Sequence, residues 1–497
     1  MAGPQAGGVA PRRPNILVIH CHDLGRHLGC YGRGVETPNI DRLAAGGVRF
    51  DKYFSTAPLC SPSRCSRMTG LYPVNHGSLG STSFAWGIRQ GIKTLPMCLN
   101  ELGYETRLFG FQHEARDVRT LGYKHFEHGA GSPGASTRAM DVAPKVIEFL
   151  DKYDRSGAPF YIDVGFSEVH MGVPRGGYEA WKGPGSPSRF KPRYVAQADL
   201  PKYQGQLVAA VQDPYDPYKR TYRPEHVQPL PYLPDRRGIR EDLADLNALI
   251  TNVVDAMAGR ILDRLRSKGL EEDTLVVFTT DHGIDMPRAK GSLYDPGIEV
   301  ALLMRYPRRF PAGRSFNSLL SHADFLPTLV EIAGGQAPRN IDGRSFLPLI
   351  EGPRYEQRQE IFFENTWHGF YDPMRGLRTG RYKFIRNFDP KRVYWAVESK
   401  AAREVLGTLC FGLKPLDEFY DLEKDPHEQN NLAGSRTMLD LLGNRGRSGG
   451  RSADPAYAAL VREFRNRLRA HMMETKDLLL QGPIAHPCYE RIWDVDS

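Results

Sequence analysis

The sequence predicts an α/β protein: a large mixed, mostly parallel sheet flanked by helices, followed by a smaller C-terminal α+β subdomain. Three observations carry this. Short apolar, β-branched runs alternate with stretches of helical periodicity, the pattern of strand–helix–strand crossovers. Those strand runs are apolar throughout instead of alternating, as expected of strands covered on both faces. After about Pro353 the texture changes to shorter, more polar strand patterns and one long helix. The expected division is a larger domain over 12–352 and a smaller one over 353–497.

Taken in order, Asn-Ile-Leu-Val-Ile-His over 15–20 is a buried strand. It delivers His22 and Asp23 at its carboxyl end, where open α/β sheets bind ligands. The next helix has Thr37 as cap, Pro38 in its first turn, Ile40, Leu43 and Ala44 inward, and Gly46-Gly47 as stop. Residues 95–102 predict a helix, and 103–110 a turn and strand ending in Phe111-Gln112-His113. A helix over 137–154 and a strand over 160–166 follow, with His170 just beyond. Residues 172–238, rich in Pro, Gly, Tyr and Arg, predict a long irregular insertion. Leu243, Leu246, Ile250, Val253, Met257, Ile261 and Leu265 step by three or four, an amphipathic helix ending near Gly269. Residues 275–280 form a buried strand that delivers Asp281-His282-Gly283, and a helix covers about 324–333. Beyond them, 382–386 and 418–422 predict strands, 456–473 a helix, and the Gly-, Arg- and Ser-rich 443–453 a loop.

With 497 residues, 40% hydrophobic and 25% charged, the composition is that of a globular chain with a sizeable core. A net charge of +8 favours anionic partners. No lysine-rich run or nucleic-acid motif is present, so nucleic acid is not an expected partner. Cys21, Cys30, Cys60, Cys65, Cys98, Cys410 and Cys488 are odd in number and show no paired spacing, which argues against a disulfide framework. Residues 1–14 lack the apolar core of a secretory signal, and no apolar run reaches membrane-spanning length. The expectation is a cytoplasmic protein without membrane contact.

The chemistry concentrates in residues 59–73. Pro62 suits the first turn of a helix, and Ser61 before it is a good cap. A helix starting there aims free N–H groups and its positive end at whatever lies beside Cys60. Arg64 and Arg67 add guanidinium forks matched to tetrahedral oxyanions, and Gly70 and Pro73 end the helix. The competing reading is a buried structural cysteine in a turn. A thiolate phosphatase loop is excluded, because it needs an arginine six residues after the cysteine, where Ser66 stands. Two predicted strands end in acid, Asp23 and Asp281. Either alone serves as a cap or turn residue. Together with Cys60 they fit a metal cluster able to neutralise charge during ester hydrolysis.

Cys60, Pro62, Ser63, Arg64, Thr69 and Gly70 resemble the signature of the type I sulfatases of the alkaline-phosphatase superfamily, Cys-x-Pro-Ser-Arg followed by Thr-Gly. The resemblance spans about 14–432. The blocks at 366–371 and 376–386 are similar to the N-sulfoglucosamine sulfohydrolase-like bacterial branch. It implies an alkaline-phosphatase-like fold. It also implies that a formylglycine-generating or other sulfatase-maturing enzyme converts Cys60 to Cα-formylglycine, whose hydrate attacks sulfur. The implied metal ligands are Asp23, Asp281, His282 and the group derived from Cys60. Where the family usually has Asp-Asp, this chain has His22-Asp23, so His22 either ligates through nitrogen or points away. The family's usual ion is calcium, whereas two histidines beside two aspartates suit Mn²⁺ or Zn²⁺ better.

Lys290, ahead of Tyr294-Asp-Pro-Gly297, matches the family's sulfate-binding lysine. His170 matches the histidine after the middle strand. His113 matches that of Gly-Lys-x-His, whose lysine is replaced here by Phe111. The implied catalytic set is Cys60, Arg64, His113, His170 and Lys290. In it Arg64 helps to activate the nucleophile, His170 or Lys290 protonates the leaving group, and His113 takes a proton as sulfate departs. The implied substrate is a sulfated sugar or another small sulfate ester. Two alternatives stay open. One is a formylglycine-dependent phosphonate monoester or phosphodiester hydrolase, which Asp281-His282 would suit. The other, motivated by Phe111 and His22, is a silent anion-binding protein with unmodified Cys60.

Overall fold

The computed structural model describes residues 13–128, 137–170, 222–352, 355–368, 370–389, 413–434 and 454–487. Most of the expected insertion over 172–238, the loop over 443–453, Cys410 and Cys488 lie outside them. The part over 222–236 carries a short 3₁₀ turn, Pro224–His226. Among the described residues no helix is long and apolar enough to cross a membrane.

The larger sheet is built from β1 (Asn15–Cys21), β2 (Val48–Phe50), β4 (Glu105–Gly110), β5 (His125–His128), β6 (Phe160–Gly165), β7 (Thr274–Thr280), β8 (Leu302–Arg305) and β9 (Arg314–Phe316). β3 (Tyr53–Phe54) pairs separately with β10 (Leu320–Ser321). The order is β5-β4-β6-β1-β7-β8-β2-β9. The strands from β5 to β7 are all parallel, while β8 runs antiparallel to both β7 and β2. Every residue of β1 and β7 is buried, which accounts for their unbroken apolar runs. Side chains alternate between two cores. Leu17 and Ile19 face helices Ala139–Lys152 and Ala256–Ser267, while Ile16 and Val18 face helices Leu95–Glu101 and Phe325–Ile332.

Register explains where function can sit. Gly110 of β4 pairs with Gly165 of β6, His20 of β1 pairs with Gly165, and Cys21 pairs with Thr280 of β7. Four neighbouring parallel strands therefore end level. Their exits, 111–113, 166–170, 22–23 and 281–283, open on one edge.

Local chemistry departs from expectation at two places. The long helix starts at Arg237 and is interrupted by a π-helical segment, Ile250–Asp255, before resuming at Ala256. That segment delivers Asp255, which accepts from the N–H groups of Asn39 (3.0 Å) and Ile40 (2.8 Å). Asp255, not Thr37, thus caps helix Pro38–Ala45. Thr37 instead accepts from the Gly29 N–H at 2.9 Å. Strands β2, β3, β5, β8, β9 and β10 carried no expectation of their own.

The second sheet is antiparallel, ordered β11 (Glu360–Trp367), β12 (Tyr371–Thr379), β13 (Tyr382–Asn387) and β14 (Asp417–Asp421). Helix Ala458–Glu474 covers it with Val461, Phe464, Leu468 and Met472. Buried ions join the two sheets. Lys383, with no accessible surface, reaches Asp295 at 2.5 Å, Glu428 at 2.7 Å and the Leu293 carbonyl at 3.1 Å. Arg378 adds a two-pronged contact to Asp295, with its closest atoms 3.0 Å away. Removing one member of a buried ion cluster leaves uncompensated charge. Lys383→Met is expected to lower stability by about 3–5 kcal/mol, measured as a fall in the thermal unfolding midpoint; an unchanged midpoint would contradict this reading of the junction.

Candidate active site

The level strand ends bring the residues singled out in sequence into one place. Asp23, just past β1, adopts φ 54, a left-handed conformation that Asp reaches more readily than most side chains. Its backbone N–H donates to Asp281 Oδ1 at 3.0 Å. Gly283 lets the Asp281-His282 turn lie against the 295–298 segment. A Cβ there would stand 1.9 Å from the Pro296 carbonyl, and Gly283 N–H donates to Gly297 at 2.8 Å.

Across from these ends lies the helix Cys60–Thr69, buried along its whole length. Its N-cap is Leu59, and no side chain caps it. Ser61, expected as the cap, instead accepts from the Thr82 N–H at 3.1 Å. Cys60 is the first helical residue, so the free N–H end faces the site as anticipated.

The two arginines are not free anion forks. Arg64, 1% exposed, donates through Nε to Asp281 Oδ2 at 3.0 Å, lies 2.9 Å through Nη1 from His20 Nδ1, and stacks 4.9 Å from the Phe111 ring centroid. Arg67 lies 3.4 Å from both Glu114 and Asp163. Both guanidinium groups are committed to buried carboxylates and organise the site from beneath. Sequence reading missed the partners: His20, Asp163 and Glu114. A histidine inside an otherwise apolar strand was the available signal for His20. Glu114 also accepts from the His113 N–H at 2.7 Å, and His113 Nε2 lies 3.4 Å from Ser81 Oγ and 3.2 Å from Ser83 Oγ.

At the centre His22, Asp23, Cys60, Asp281 and His282 present donor atoms that all lie within 4.8 Å of one another, every residue buried. His22 Nδ1 is 2.5 Å from Asp23 Oδ1 and 3.4 Å from Asp281 Oδ2. His282 Nε2 is 3.1 Å from Asp23 Oδ1, 3.6 Å from Asp281 Oδ2 and 3.5 Å from Cys60 Sγ. His22 therefore points into the cluster. Lys290 Nζ closes the far side, 2.6 Å from Asp23 Oδ2. His170 packs edge-on to His22 with ring centroids 4.4 Å apart, and His113 and His170 both lie near enough to Cys60 to favour its thiolate.

Burial pushes the Cys60 thiol up, but the charges of His22 and Lys290 and the bonds from His113 and His170 hold it well below the ordinary thiol value. Burial alone would lower His22. Asp23 and then Asp281 outweigh it and bring it to about 9. His282 is raised to about 10, mainly by Asp281 working against burial. His170 goes the other way, lowered by burial and then by Lys290.

Two carboxylates, two imidazoles and a sulfur-bearing position converging where all are buried fit a divalent cation, and the imidazoles supply the balancing charge in this geometry. An ion that takes their lone pairs must release their protons. Affinity for a divalent ion is thus expected to rise as pH climbs toward about 9, the value for His22, with protons released on binding. Calorimetry in two buffers of different ionisation enthalpy reads the release. A pH-independent affinity would contradict this charge balance.

Comparison with known proteins places the chain. The sulfatase family model matches residues 14–335, and the model of the N-sulphoglucosamine sulphohydrolase C-terminal segment matches 288–401. An ulvan-active sulfatase of Formosa agariphila is 28% identical over 440 residues, 85% of this chain and 76% of that one. Human N-sulphoglucosamine sulphohydrolase is 26% identical over 518 residues, 96% of this chain and 93% of that one. The solved structure of a 2-O GAG sulfatase superposes with a TM-score of 0.64 at 22% identity, covering 97% of this chain and 96% of that one. With the family match spanning well over half its length, this chain belongs to the sulfatase family.

Proposed function

We propose that the protein hydrolyses a sulfate ester or sulfamate of a sugar at Cys60, after a sulfatase-maturing enzyme has converted that residue to formylglycine. The observation that carries this is the convergence of Cys60, at a helix start, with the four flanking donors and Lys290. The names of two relatives, one ulvan-active and one acting on N-sulphoglucosamine, support a sugar sulfate. The hydrated aldehyde would supply an oxygen nucleophile that a thiol lacks. Asp23, Asp281, His282 and His22 would hold a divalent ion, which when bound neutralises charge on the sulfuryl oxygens. Calcium is what family resemblance implies, whereas the two imidazoles favour Mn²⁺ or Zn²⁺. Elemental analysis of the purified protein decides between them.

The chain's own side chains divide the remaining work. Lys290, its pKa raised by Asp23 against burial, stays protonated and offers a cation to the incoming sulfate. His170 is neutral at rest, because burial and Lys290 both lower it. An anion docking beside it reverses the balance, so proton delivery to the leaving group is coupled to binding. His113 is held by Ser81, Ser83 and Glu114 where it can take a proton from the group at position 60. Arg64 fixes Asp281.

Turnover of sulfated monosaccharides, p-nitrophenyl sulfate and a phenylphosphonate ester tests the reading. Sulfate esters are expected to be cleaved fastest, Cys60→Ala to abolish turnover, and Lys290→Ala to lower kcat/KM by roughly a hundredfold or more. Faster phosphonate cleavage would move the reaction to phosphorus, as the Asp281-His282 pair alone would allow. Sulfate binding without turnover of any ester would make the chain a silent anion-binding member.

A further inference from the structure

Phe84 is 42% exposed, yet its backbone is tied to the site. Ser81 caps the 3₁₀ turn Thr82–Phe84 by accepting from the Ser83 N–H. Ser81 and Ser83 hold His113, and the Thr82 N–H donates at 3.1 Å to Ser61, the neighbour of Cys60. The exposed ring therefore rides on a turn that borders the reaction centre.

Other rings buttress it. His368 lies 6.3 Å from Phe84, and His486 lies 6.4 Å from Phe84, 5.8 Å from Trp86 and 5.0 Å from Trp367. All four contacts are edge-to-face, between 67° and 82°, the arrangement aromatic quadrupoles favour. Gly80 makes the packing fit, since a Cβ there would meet Trp86 Cδ1 at 2.5 Å and Trp367 Cβ at 2.8 Å. The Trp367 N–H donates to Leu79 and its indole N–H to Ile484, each at 3.0 Å. The rim is thus a rigid construction from both sheets' surroundings. A single exposed phenylalanine is ordinary on a protein surface. One braced by histidines, two residues from the Thr82 that bonds Ser61 beside Cys60, is placed to do more than pack.

We infer that this rim is the subsite for the sugar ring that carries the sulfate: a pyranose lays its apolar C–H face on Phe84 while its sulfate reaches toward Cys60. The C–H face is slightly positive and suits the negative face of the aromatic ring. The inference rests on the sugar-sulfate reading above.

Calorimetric binding separates the two. A panel of sulfated monosaccharides, with methyl sulfate as a ring-less ester, is titrated into Cys60→Ala protein and into the same protein carrying Phe84→Ala or Phe84→Trp. Phe84→Ala is expected to weaken the tightest sugar sulfate by roughly five- to tenfold, the scale of one aromatic contact. It should leave methyl sulfate unchanged, and Phe84→Trp should stay within about threefold of the parent. Equal affinity with and without the Phe84 ring, equal weakening of methyl sulfate, or no sugar sulfate bound by the parent would each overturn the subsite. Cleavage of aryl sulfate by the wild-type protein would still uphold the sulfatase reading in those cases.

Discussion

Two aspartates buried side by side are the constraint to which the rest of the site answers. Asp23 and Asp281 sit at 0% and 3% exposure, joined by the bond from the Asp23 N–H to Asp281. Unpaired charges in that position would cost several kcal/mol each. Four side chains around them supply compensation: Arg64 to Asp281, Lys290 to Asp23, and His22 and His282 to both. The same arrangement depresses the Cys60 thiol. Charge balance, metal affinity and reactivity at position 60 are therefore one electrostatic problem.

The fold solves the placement half of that problem by register. Because β4, β6, β1 and β7 end level, each contributes its residues from a strand exit, and no long loop has to be ordered to assemble them. The smaller sheet contributes from outside. Asp295, which Arg378 and Lys383 grip, lies five residues after Lys290, so the junction also steadies the segment carrying the site's exposed-side cation.

Much of this was legible in the chain because it depends on local pattern. Unbroken apolar runs gave β1, β6 and β7, and residues following them gave Asp23, His170, Asp281 and His282. The signature around Cys60 gave the helix. Partner choice was not legible. Arg64 and Arg67 read as anion forks because their carboxylates, Asp281, Glu114 and Asp163, are distant in sequence and meet them only in the fold. Thr37 and Ser61 read as caps for the same reason, since a tertiary carboxylate displaces the local hydroxyl at one helix, and at the other the serine turns to Thr82. Strands β5 and β8 are four residues each, too short for a period to show, and β12 contains Pro373 and Gly376, which weaken its strand character.

The central claim is that this electrostatic pocket exists to present a formylglycine. The direct measurement is the mass of the tryptic peptide containing Cys60, from protein made in its native host. The account predicts a side chain in which CH₂SH has become CHO. An intact thiol throughout that peptide would contradict it and leave the pocket as an anion-binding site around an unmodified cysteine.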